Sequence, residues 1–176
     1  MTAYAALLRA VNVGGTGKLA MPELTRLCEH LGFDRVRTYI QSGNVVFQSG
    51  QGEAQVQEAL EAALERHVGR RVDVVVRTAG ELARIVDSNP FPDAAGAKVT
   101  VALGSRRVTA SAANEIVTPG AEQVAVAGGE LFIHYPDGMG RSKLTLPKSL
   151  GPVTVRNLNT LTKLRQLADE VGGQTG

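Results

Sequence analysis

The sequence has no tryptophan, and its three tyrosines and four phenylalanines amount to 4% aromatics. So few rings leave little for stacking-based recognition of single-stranded nucleic acid, and they require a core built mostly from Val, Leu, Ile and Ala. The one cysteine, Cys28, excludes an internal disulfide framework and a cysteine-rich metal site. It falls in the apolar row of an expected helix, the place of a small core residue. No segment approaches the roughly 20 apolar residues of a membrane span. Residues 3–8 read as a strand rather than a leader, and the expected compartment is the cytoplasm. Net charge is only +2, so no global field argues for a nucleic-acid partner.

Catalytic signatures are scarce as well. His30, His67 and His134 lie on separate expected elements, no two at metal-ligand spacing. There is no G-x-S-x-G elbow and no paired carboxylate among the basic loops. Ser42 and Ser142 have no evident base, and Asp93 and Asp137 read as turn formers. Acid is also absent from three stretches. Residues 1–22 hold Arg9 and Lys18, residues 35–52 hold Arg35 and Arg37, and residues 138–168 hold six cations, none of them with an Asp or Glu. The glutamates gather elsewhere, notably Glu53, Glu58, Glu61 and Glu65. This segregation points to an anion-facing side.

What is present is a chain of 176 residues, 43% hydrophobic and 20% charged, enough for one domain or two small halves with a real core. Residues 3–11 suit a buried strand. Residues 12–20 are a Gly-rich loop, and Pro22 fits a helix's first turn. Leu24, Leu27, Cys28 and Leu31 give that helix its face, and Gly32 stops it. Strands follow at 36–40 and 45–48 across a turn at 41–44. A helix is marked by Val56, Leu60, Leu64 and Val68, and a β-branched strand runs 72–77. Strand, helix, strand, strand, helix, strand is the ferredoxin-like order.

After a short helix at 81–86 comes the linker SNPFPDAAG, from Ser88. The second half has a strand at 98–103, a weak helix at 110–116 and a hairpin, 123–127 with 130–135, across Gly128-Gly129. It continues with 141–150, irregular or a short helix, a strand at 153–156 and a terminal helix bearing Leu161, Leu164, Leu167 and Val171. The expected organisation is therefore α+β, with ferredoxin-like residues 1–88, a linker at 89–96 and an α+β half at 97–176.

Four loops carry polar residues. Residues 9–18 lie between strand and helix, like a phosphate loop. However, G-x-x-x-x-G-K-[ST] fails at Asn12, which stands at its first glycine, and at Leu19, which stands at its hydroxyl. Such a backbone can still offer N–H groups to an anion. In Gln41-Ser-Gly-Asn44, Gly43 and Asn44 suit a hairpin turn, because both tolerate left-handed angles. Residues 138–143 pair two glycines with Arg141, Ser142 and Lys143. In residues 154–160 a strand runs into a helix, with Asn159 or Thr160 as the expected N-cap and Arg156 and Lys163 flanking the helix start.

At these loops the chain resembles a bacterial family known as domain of unknown function 1697. The stretches that carry the likeness are LLRAVNVGGTGKLAMPEL (7–24), FDRVRTYIQSGNVVFQS (33–49), GRSKL (140–144) and TVRNLNTLTKL (154–164). Members usually have Trp where this chain has Leu158. The resemblance implies two ferredoxin-like subdomains and supplies no activity or cofactor. The positions matching the family's polar motifs are Arg9, Asn12, Lys18, Gln41, Ser42, Asn44, Ser142, Lys143, Arg156, Asn157, Asn159 and Thr160, and the analogy implies one shared site. The leading expectation is a small ligand bearing phosphate or carboxylate, a nucleotide included. Two alternatives stand beside it: loops that stabilise the fold or a dimer, and an RNA- or DNA-binding module. No membrane partner is expected.

Overall fold

The computed structural model describes residues 1–10, 19–39, 43–104 and 106–173. In chain order the elements are β1 (Thr2–Leu8), α1 (Met21–His30), β2 (Asp34–Tyr39), β3 (Asn44–Ser49), α2 (Glu53–Val68), β4 (Val74–Thr78) and α3 (Ala79–Asp87). They continue with β5 (Val99–Gly104), α4 (Ala110–Asn114), β6 (Gln123–Ala127), β7 (Glu130–His134), β8 (Val153–Asn157) and α5 (Leu158–Gly173). Two four-stranded sheets result, ordered β2-β3-β1-β4 and β6-β7-β5-β8. Every pairing is antiparallel. Both orders are ferredoxin-like, as the sequence implied.

The chain divides into two compact units, Met1–Leu82 with Lys163–Gly176, and Ala83–Thr162. The sequence put the boundary at a linker, 89–96, and the whole terminal helix in the second half. Instead α3 and α5 are each divided between units. Around that stretch the chain is tied by local bonds: Asn89 Oδ1 accepts from Phe91 N (2.9 Å), and Lys98 N donates to Ala95 O (2.9 Å).

In the first unit β1 buries six of its seven residues, so its sequence is a nearly continuous apolar run instead of an alternation. Tyr4, Ala6 and Leu8 face α1 and α2 and join Leu24, Cys28, Val56, Leu60 and Leu64 in one cluster. Phe47 stacks on Phe33 there, with centroids 4.4 Å apart. The second face, Ala3, Ala5 and Leu7, is covered in part by the end of α5. A Cβ on Gly172 would lie 3.2 Å from that of Ala3, and Arg37 on β2 pairs with Glu170 at 2.7 Å.

In the second unit, β6 and β7 are joined across Gly128 and Gly129, with φ of 60° and 80°. Two successive left-handed residues match the twist of a tight hairpin, which is why two glycines stand there. Ala102, Leu131, Ile133 and Tyr135 form a core cluster with Val108, against which Ile116, Leu144, Leu146 and Leu150 pack. Between β7 and β8, where the first unit has the 16-residue α2, only two short 3-10 turns form, Met139–Arg141 and Lys148–Leu150. Gly138, Gly140 and Pro147 disfavour a helix, and Leu144 and Leu146, two apart, suit extended chain.

Candidate functional site

The described candidate residues have their own local settings. Arg9 follows β1. Its N–H donates to Asp73 O (2.9 Å), and its guanidinium meets Asp73 Oδ2 at 3.5 Å. Ala10 then takes φ 56°, unusual without glycine, and Arg70 Nη2 donates to its carbonyl at 2.9 Å. That bend explains why β1 ends at Leu8 and not at residue 11. Asn12, Lys18, Gln41 and Ser42 lie outside the described residues.

Asn44 departs from the turn role given to it. Gly43 takes the left-handed conformation (φ 81°), while Asn44 opens β3, is fully buried, and donates from Nδ2 to Tyr39 O at 3.2 Å. Its amide fastens the end of β2 to the start of β3. Of Tyr39 and Phe47, the two rings nearest the place an RNA-reading sheet would use, Phe47 is wholly buried against Phe33 and Tyr39 is partly exposed.

The expected N-cap at Asn159 or Thr160 is corrected to Asn157. Helix α5 begins at Leu158, and Asn157 Oδ1 accepts from Thr160 N at 2.8 Å. The side chain that ends β8 thereby satisfies an N–H of the helix's first turn. Asn159, two residues later, lies over Gly96, where a Cβ would overlap its Oδ1. Arg156 is half-buried on β8 and donates from Nη1 to Val155 O (3.0 Å); burial pushes its guanidinium down to about 10.

Residues 138–143 border a cavity of about 460 Å³ in the second unit, lined by residues 119–122, 135–138 and 141–143. It opens beside the segment that takes the place of a helix. Glu122 spans two walls: its Oε1 accepts from Ser142 Oγ at 2.6 Å and its Oε2 from Gly120 N at 2.8 Å. The Ser142 hydroxyl, with Gly120 N also contributing, holds the Glu122 carboxyl below the usual carboxylate range. Ser142 Oγ also accepts from Leu144 N (3.1 Å), so the hydroxyl both donates and accepts within its own loop's surroundings. Arg141 and Lys143 are exposed on the wall and make no ion pair among the described residues.

The acid-free stretches of the sequence are therefore not acid-free in space. Asp73 reaches Arg9, Glu170 reaches Arg37 and Glu122 reaches Ser142, each from another element. Sequence reasoning missed Glu122 because it lies 20 residues from its partner, in a connection with no motif. Its placement between Gly120 and a β-strand was the only signal. Among the described residues no group of three or more His, Cys, Asp or Glu is placed to hold a metal ion, and no helix is long and apolar enough to cross a membrane.

These features define an α+β protein of two ferredoxin-like halves, the second lacking one helix and opening a charged cavity in its place. The chain belongs to the family described as protein of unknown function (DUF1697), whose model matches residues 1–132. Among solved structures it is similar to that of the conserved bacterial protein SP0830 from Streptococcus pneumoniae. The TM-score is 0.78 at 23% identity, covering 95% of this chain and 98% of that one. At that identity the likeness speaks to the fold. No curated protein matches.

Proposed function

We infer that the protein binds a small ligand bearing an anionic group, and that the cavity beside residues 138–143 receives it. One observation carries this reading. Arg141 and Lys143 stand on the wall of a 460 Å³ space without an ion-pair partner among the described residues, while the adjacent Glu122 carboxylate already has two donors of its own. A volume of this order suits a metabolite. Arg presents a planar fork to carboxylate or phosphate and Lys a mobile point charge, so the pair accepts either anion.

The test is a thermal-shift and calorimetric survey with phosphate, sulfate, nucleotides and dicarboxylates. A ligand at a hundred times its Kd stabilises the folded state by about 2.7 kcal/mol, which for a chain of this size raises Tm by roughly 5–10 °C. The double substitution Arg141→Ala, Lys143→Ala removes the shift while leaving Tm without ligand nearly unchanged. A panel with no shift at millimolar concentration refutes the reading.

A second reading, loops that stabilise the fold, is favoured at other positions by the cap of Asn157, the amide bridge of Asn44 and the clasp of Ser142. For those three residues it predicts loss of stability on substitution, with ligand affinity changing only as the fold does.

A further inference from the structure

We propose that the ligand of this cavity is a zwitterion, an amino acid or related amino-carboxylate, with an ammonium beside its acid group. The proposal rests on the anion reading above and narrows it. Four charged side chains line the cavity: Arg141, Lys143, Glu122 and Asp137. Two cations and two carboxylates sum to zero, so the wall has a place for a positive group beside its place for an anion. The two carboxylates also differ in what they have left to offer. Glu122 has each oxygen engaged, one by Ser142 Oγ and one by Gly120 N. Asp137 makes no hydrogen bond or ion pair among the described residues and is exposed.

Asp137 is also held in place by its backbone. It follows Pro136, whose carbonyl accepts from Lys98 Nζ at 3.0 Å, and it precedes Gly138, whose N–H donates to Tyr135 O at 3.0 Å. The cavity thus offers an unengaged acceptor at residue 137 and unengaged cations at 141 and 143, all on one connection. A plain anion meets the cations and is repelled by Asp137. A zwitterion meets both, since opposite charges attract and like charges repel across the same solvent-screened distances. Pairs at this level of exposure are modest, so the amine should be worth about twofold to fivefold in affinity.

The experiment compares ligands that differ only by the amine: aspartate with succinate, and glutamate with glutarate. Their affinities for the full chain are measured by titration calorimetry. The expected result is about twofold to fivefold tighter binding of the amine-bearing member. Asp137→Ser should erase that preference while leaving the amine-free acid bound as well as or better than before, and Asp137→Ala serves as a second variant, both checked for wild-type circular dichroism. Equal binding of both members of each pair to the wild-type chain overturns the proposal, as does a preference that survives in both variants. In either case the anion reading stands. If neither pair, phosphate nor sulfate binds, the anion reading fails and the proposal with it.

Discussion

Replacing Asn157 by alanine removes one acceptor and nothing else of size. In the wild-type chain Oδ1 takes the Thr160 N–H at 2.8 Å, and α5 continues for 16 residues from Leu158. An N-cap changed to alanine costs about 1 kcal/mol, within a range of roughly 0.5–2. In a chain of this size that lowers Tm by about 2–4 °C. Asn157→Ser and Asn157→Asp keep an oxygen in reach of the same N–H and should recover most of the loss, the aspartate aided by the helix dipole. Asn159→Ala should stay within about 0.5 kcal/mol, as for an exposed residue without a cap bond. Urea unfolding followed by circular dichroism gives the four midpoints, and an unchanged m-value shows that stability alone has moved. The assignment fails if Asn159→Ala costs as much as Asn157→Ala, or if the serine and aspartate variants recover nothing.

Three further outcomes are expected. Burial, and then the hydrogen bond and charge of Glu81, raise the Glu53 carboxyl in the folded state. That group therefore favours folding at low pH, and its contribution is lost as pH climbs from the ordinary 4.5 through the raised value. Glu53→Gln should flatten that part of the pH–stability profile, and parallel profiles for the two proteins would exclude the effect. Burial pushes the Cys28 thiol up to about 12, so a thiol reagent should modify it at neutral pH only when denaturant is added. Rapid labelling of the native protein would contradict this. Gly96→Ala places a Cβ onto Asn159 Oδ1 and 3.0 Å from its Cγ. Asn159 is exposed and its amide can turn aside, so the substitution should cost no more than about 0.5 kcal/mol, and adding Asn159→Ala should remove that loss. Additive losses in that double-mutant cycle would show no coupling.

The sequence reveals elements more readily than partners. Helical rows such as Val56, Leu60 and Leu64, and the Gly128-Gly129 hairpin, are local patterns, and the structure bears them out. Boundaries shift where a long-range bond decides them. β1 ends early because Arg9 N is claimed by Asp73 O and Ala10 turns left-handed. The cap of α5 moves because one of the two asparagines in RNLNT happens to end a strand whose register is set by β5. Charge patterning was the least complete guide. A run without acids says nothing about which acids the fold brings from elsewhere, and Glu122, Asp73 and Glu170 all arrive from distant segments. The cavity itself was illegible, since it arises from a helix missing in one of two otherwise parallel halves.

The division of α5 bears on the order in which the protein can be finished. The sheet of the first unit lies within Met1–Leu82, but part of its second face is covered by a segment, from Lys163 on, made roughly eighty residues later. During synthesis that sheet leaves the ribosome with α1 and α2 in place and part of one apolar face bare. For the time it takes to translate the whole second unit, the nascent chain carries an exposed hydrophobic surface.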